Sequence, residues 1–149
     1  FVYRDPLEIA VSHWRRPGMH MVPGMIGTSV LDDGLPFDGQ EDFIARRLGR
    51  LLQAGLEHCH EFAGLAVNYA ELPDAMAGRL AVFFGLNDAQ RRQVFAMTGQ
   101  HAKQPGQAFA GDSEDKRREA PSRLRDQVMH WAQGSYEALE TWRVGRHQC

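Results

Sequence analysis

Apolar residues along the chain fall into runs at helical spacing and two short continuous runs, separated by stretches where neither period holds. Phe1-Val2-Tyr3, aromatic and β-branched, predicts a short strand buried on both faces. Asp5, Pro6 and Glu8 then stand as N-cap, first helical residue and third residue after the cap, so a helix is predicted to begin at Asp5. A second capping box, Asp38 with Glu41, opens a helix carrying Ile44, Leu48, Leu51, Leu52, Gly55, Leu56 and Cys59 on one face. Arg46, Arg47 and Arg50 fall on the other. Leu65 to Tyr69 predicts a second strand, and its link through a helix implies that it runs parallel to the first.

Beyond that strand, Pro73 starts a helix with Met76, Leu80, Phe83 and Phe84 turned to the core and Gly85 as a left-handed cap. Asn87-Asp88 caps another, with Val94 and Phe95 inward. From Pro121 the last helix carries Leu124, Val128, Trp131, Ala132, Tyr136, Leu139 and Trp142 on one stripe, with a bend expected at Gly134-Ser135. The tail, residues 144–149, has no pattern and should fray. Between these elements, residues 17–40 mix prolines and glycines with Met19, Met21, Met25, Ile26 and Phe37, which reads as an ordered irregular loop, either a lid or a loop packed on its own domain. His20 in this loop reads as solvent-exposed rather than as an acid or base. Residues 98–121 are polar and crowded with charge from Asp112 to Glu119, again a loop by composition.

At 149 residues the chain has the size of one domain. A formal net charge of -2 with 24% charged residues argues against a nucleic-acid binder. Two cysteines, Cys59 and Cys149, make no disulfide framework, so a reducing, cytoplasmic setting is expected. No apolar run reaches the length of a membrane span, and no signal-peptide pattern is present. His58-Cys59-His60 would point in three directions from a helix and lacks metal-ligand spacing; Cys59 is read as a core residue, and no metal is expected.

The chemistry concentrates where the first strand meets the first helix. The opening turn of that helix leaves backbone N–H groups unpaired and partially positive, and Arg4 sets a guanidinium fork beside them. Ser12, two turns in, adds a hydroxyl. Such a junction suits an oxyanion. The alternative on the residues alone is an ordinary strand-to-helix turn, with Arg4 paired to a carboxylate and Ser12 bonded back to a carbonyl.

The string VYRDPLEIAVS, with Ser12 eight residues after Arg4, resembles the 3′-phosphate-binding motif of sulfotransferases that use 3′-phosphoadenosine-5′-phosphosulfate. The resemblance assigns the 3′-phosphate to Arg4 and Ser12. LAVNYAELP is similar to the sulfotransferase strand whose Tyr contacts adenine, which gives that role to Tyr69, although Ala70 stands where the family often has an acidic residue. LAVFFGL is similar to the Phe-Leu-Gly segment that follows, but Phe83 and Phe84 are read as core. AFAGDSEDKRREAP looks like the nucleotide-capping region of bacterial-type members, with Lys116 and Arg117 as further 3′-phosphate ligands; a solvated charge run that caps the next helix is the alternative.

The resemblance implies an α/β, P-loop-NTPase-like sulfotransferase fold, here as a mostly helical C-terminal part (residues 1–143) with two short parallel strands. It implies 3′-phosphoadenosine-5′-phosphosulfate (PAPS) as co-substrate and a small-molecule, carbohydrate or lipid acceptor bearing a hydroxyl or amine. No Gly-Lys-Ser/Thr phosphate loop occurs in the sequence, so the phosphosulfate loop and the catalytic base are expected in an N-terminal half outside this chain, and the chain alone is expected to be inactive. The other readings are a different P-loop-type nucleotide enzyme, such as a small kinase, and a non-catalytic helical interaction module.

Overall fold

The structure, a computed structural model, describes residues 1–25, 36–97 and 113–145. It is mostly helical with two short parallel strands. In chain order the elements are β1 (Val2–Tyr3), α1 (Pro6–Arg15), a 3-10 turn at Met19–Met21, α2 (Gly39–Glu61) and β2 (Val67–Asn68), followed by a 3-10 turn at Tyr69–Glu71. Then come α3 (Leu72–Ala77), α4 (Arg79–Phe83), α5 (Asp88–Met97), α6 (Ser113–Glu119), α7 (Ser122–Trp131) and α8 (Gln133–Gly145). Among the described residues the sheet is β1 beside β2 and nothing more. This corrects the expected strand buried on both faces: Tyr3 is buried, but Phe1 and Val2 are exposed, so only one face of the strand is covered by packed elements.

Two compact units divide the chain. The first comprises Phe1, Tyr3–Ala66 and the segment from 112 onward; the second comprises Val2 and residues 67–111. In the first unit α2 is the central helix, and α1, α7 and α8 all pack on it. The core is built from Val11, Ile44, Leu48, Leu52, Leu124, Val128 and Leu139, with Cys59 buried among them. α2 and α7 approach closely at Gly49, where a Cβ would run into the Trp131 carbonyl oxygen; a side chain there would push the helices apart. Gly55 likewise leaves room for the Phe1 ring.

The polar face of α2 is less solvated than its pattern predicts. Arg47 is buried, donating to the His20 carbonyl and lying over the Phe43 ring at 4.9 Å, whereas Leu51 is exposed. A guanidinium can be buried when its stem packs and its N–H groups find acceptors. The helix start also differs in detail. Asp38 is the N-cap, but its side chain makes no capping bond; its backbone N–H donates to Asp42 Oδ2 at 2.8 Å. Asp42 is buried and also accepts from Arg46 Nε at 2.9 Å and from Trp131 Nε1 at 2.8 Å, while Arg46 stacks on the Trp131 ring at 4.6 Å. One carboxylate therefore ties the start of α2 to the end of α7. The last helix is interrupted two residues earlier than the expected bend at Gly134-Ser135: α7 ends at Trp131 with Ala132 as its C-cap, and α8 runs on through Val144 to Gly145.

In the second unit Asn68 caps the 3-10 turn, accepting from the Ala70 N–H at 3.0 Å, and Glu71 pairs with Arg79 at 2.6 Å. Gly85 does adopt the left-handed conformation (φ 64°), with the Leu86 N–H donating to the Ala81 carbonyl at 2.8 Å. Asn87 and Gln90 cap α5 reciprocally, each side chain accepting from the other's backbone N–H. Phe83 and Phe84 are not core residues: they are 58% and 62% exposed, and Phe95 is exposed as well. The predicted helix breaks at Gly78 into α3 and α4, which separates Met76 from Leu80, and within the short α4 Leu80 and Ala81 are the residues turned inward.

Burial pushes the Asp42 carboxyl up, but the Asp38 N–H, Arg46 and Trp131 together outweigh it and hold the group below its ordinary 3.8. A carboxyl depressed on folding contributes stability that is fully present above that ordinary value and is lost as pH falls through the depressed one. Asp42→Asn is therefore expected to cost about 1–3 kcal/mol at neutral pH and to flatten the loss of stability on acidification below about pH 4. Urea unfolding at pH 7 and pH 3 measures both; equal acid sensitivity of the two proteins would contradict the assignment.

Candidate functional site

The first helix starts as its sequence dictates. Asp5 Oδ1 accepts from the Leu7 N–H at 2.8 Å, and Pro6 fills the first helical position, where a missing donor costs nothing. Glu8 is the residue that the sequence reading placed too narrowly, as half of a capping box. Its side chain is almost fully buried, 4% exposed, and bridges two guanidinia: Arg4 Nε donates to Oε2 at 2.5 Å, and Arg117 Nη2 lies 3.1 Å from Oε1. Arg117 also donates to Asp5 Oδ2 at 2.9 Å. Two cations and two carboxylates thus close a network around the opening turn of α1. Their formal charges sum to zero.

Glu8 and Ser12 stand four residues apart on one face of α1, and Arg4 precedes the helix. Ser12 Oγ donates to the Glu8 carbonyl at 3.0 Å. Both features of the ordinary strand-to-helix turn, an arginine on a carboxylate and a serine bonded back to a carbonyl, are therefore present. What that turn alone does not account for is Arg117. It comes from α6, far along the chain, and meets the same carboxylate as Arg4.

α6 is itself a departure from expectation, since residues 113–119 form a helix where composition suggested a loop. A signal was available: Glu114 and Asp115 lie in its first turn and Lys116, Arg117 and Arg118 in its last, the order that the helix dipole favours. The helix is docked on α1 by Arg117 and by an Arg15–Glu119 ion pair. Arg125 of α7 closes its far end, donating from Nε to the Ala120 carbonyl at 3.1 Å and from Nη2 to the Arg117 carbonyl. No local pattern marks Arg125 for this task; only the turn between α6 and α7 brings it there. Lys116, the neighbour of Arg117, is buried at 9% exposure.

Of the residues singled out in the sequence, Arg4, Ser12, Lys116 and Arg117 belong to the first unit, while Tyr69 belongs to the second. Tyr69 opens the 3-10 turn capped by Asn68 and is 39% exposed. Much of the suspected lid and of the nucleotide-capping stretch, residues 26–35 and 98–112, lies outside the described residues. His20 is exposed, as expected, and stands edge-on to His13 at 5.0 Å; burial first, and then the neighbouring His20, push the His13 imidazole below its ordinary value. Among the described residues no group of three or more His, Cys, Asp or Glu could hold a metal ion, and no helix is long and apolar enough to cross a membrane. Comparison with protein-family models, with curated proteins and with solved structures gives no match.

The network responds unequally to loss of its members. Removing Glu8 leaves two guanidinia facing each other, whereas removing Arg117, whose side chain is 55% exposed, leaves Glu8 still paired with Arg4. Glu8→Ala is expected to cost about 2–4 kcal/mol and Arg117→Ala no more than about 1 kcal/mol. Urea unfolding of the two variants checks the ordering, and a larger loss for Arg117→Ala would refute it.

Proposed function

We propose that the chain is the nucleotide-binding part of a PAPS-dependent sulfotransferase, with a P-loop-NTPase-like sulfotransferase fold, and that Arg4, Arg117 and Ser12 hold the 3′-phosphate of the nucleotide. One observation carries the reading: guanidinia from the two separated segments of the first unit meet on a single oxyanion, the Glu8 carboxylate, at the first turn of a helix whose sequence resembles the 3′-phosphate motif. Guanidinium forks and a helix N-terminus are the donors that a phosphate takes. Ser12 Oγ, which donates to the Glu8 carbonyl, is the hydroxyl assigned to the same phosphate by its spacing from Arg4. Lys116 adds a buried cation next to Arg117, and Tyr69 is the proposed adenine contact.

PAPS supplies an activated sulfuryl group that passes to an acceptor hydroxyl or amine. That transfer asks the protein to align acceptor oxygen or nitrogen, sulfur and leaving phosphate, and to neutralise charge on the leaving group. The 3′-phosphate is remote from the reacting sulfur, so the residues named here bind and orient rather than react. Binding energy from such a remote group is what holds a reacting centre in line. The catalytic base and the phosphosulfate loop are assigned to a preceding segment of the domain, and the acceptor to a small molecule, carbohydrate or lipid.

A second reading has one observation of its own. Val82, Phe83 and Phe84 at the end of α4 are exposed, as is Phe95 on α5, as in a helical interaction module without chemistry. Calorimetry with adenosine 3′,5′-bisphosphate separates the two. The transferase reading predicts binding, with Arg4→Ala weakening it by about 1.5–3 kcal/mol, the range for a charge-assisted hydrogen bond. No heat of binding, or an Arg4→Ala variant that binds as well as the parent, would overturn it in favour of the interaction module.

A further inference from the structure

Glu8 is absent from the ligands proposed above, yet it is the residue that both arginines share. Resting on the 3′-phosphate reading, we infer that Glu8 is a positioning residue for that phosphate, holding Arg4 and Arg117 at the spacing at which both can engage one oxyanion. A carboxylate at this place could act in two opposite ways. It could occupy the phosphate's position and compete with it, or it could stand behind the guanidinia and aim them.

Burial decides between these. The Glu8 side chain is 4% exposed, whereas those of Arg4 and Arg117 are 22% and 55% exposed, so the carboxylate lies on the inner side and the guanidinia on the outer. A group so enclosed cannot swing into water to make way for a ligand without abandoning two ion pairs. The bonding pattern agrees. Arg4 meets Glu8 through Nε, the edge of its fork nearest the side-chain stem, and Arg117 meets it through Nη2, which also reaches Asp5. A guanidinium carries five N–H donors in a fixed plane, so a carboxylate that takes Nε fixes the plane in which the two terminal nitrogens lie.

The backbone of α1 supports the carboxylate in turn. Asp5 is fixed by its capping bond to the Leu7 N–H, and Glu8 sits on the turn that this cap starts. On the other side Arg125 holds the Arg117 carbonyl, so neither guanidinium is attached to a loose segment. Asp5 therefore limits where Arg117 can turn, and Glu8 sets its distance from Arg4.

The test compares Glu8→Gln, which keeps the shape and removes the charge, with Glu8→Asp, which keeps the charge and shortens the reach. Affinities for adenosine 3′,5′-bisphosphate and for adenosine 5′-monophosphate are measured by calorimetry, with folding followed by circular dichroism. Positioning predicts that Glu8→Gln weakens the 3′,5′-bisphosphate about tenfold, the equivalent of one charge-assisted hydrogen bond, and leaves the 5′-monophosphate unchanged. Glu8→Asp should retain fold and show a smaller loss with the same selectivity. A merely structural role would weaken both nucleotides alike. Tighter binding of the 3′,5′-bisphosphate by Glu8→Gln would make Glu8 a competitor and overturn the inference, as would an unchanged affinity in both variants. Failure of the parent protein to prefer the 3′,5′-bisphosphate over the 5′-monophosphate would instead remove the 3′-phosphate reading itself, and the inference with it.

Discussion

A carboxylate taken out of water is costly unless cations repay its lost hydration, and the Glu8 side chain is buried with a guanidinium on each oxygen. That requirement reaches well beyond one helix. Arg4 precedes α1, but Arg117 arrives on α6, after the whole of the second unit's sequence has intervened. The first unit is therefore closed by charges from its two separated segments. Closing a chain over a long insertion adds only slowly to the entropic cost, about 0.6 kcal/mol for each doubling of loop length. Three ion pairs, Arg117 with Glu8, Arg117 with Asp5 and Arg15 with Glu119, together with the apolar packing of α7 on α2, oppose that cost.

The same division between local and distant causes explains what could be read in the sequence. The Asp5-Pro6 start, the Asn87 cap and the left-handed Gly85 are set by neighbours within a turn, and their residues announce them. Glu8 looked like a capping residue because its second partner lies more than a hundred positions away, and spacing carries no trace of such a pair. Arg47 was placed on the solvent side for a similar reason, since only the folded turn at Met19–Met21 puts a carbonyl within its reach. The two short parallel strands are as the apolar runs implied, whereas burial of the first on both faces is not found, since Phe1 and Val2 are exposed. Gly78 ends α3 and separates Met76 from Leu80, a helix breaker that is visible in the sequence.

On the proposed reading, the site combines two properties that often conflict. Its cations must be strongly held to be accurately placed, and yet available to an incoming phosphate. A guanidinium meets both demands because its donors are divided between two edges of a rigid plane. One edge can be fixed on an internal carboxylate while the other addresses a ligand. A lysine at either position would offer a point charge and no such division.

The central claim is that this junction receives the 3′-phosphate. Phosphorus NMR of adenosine 3′,5′-bisphosphate, which resolves its two phosphorus signals, measures that most directly when the nucleotide is titrated with the protein. The account predicts that the 3′ signal shifts and broadens on binding far more than the 5′ signal, and that Arg4→Ala abolishes the difference. A response confined to the 5′ signal, or none at either phosphorus, would contradict it.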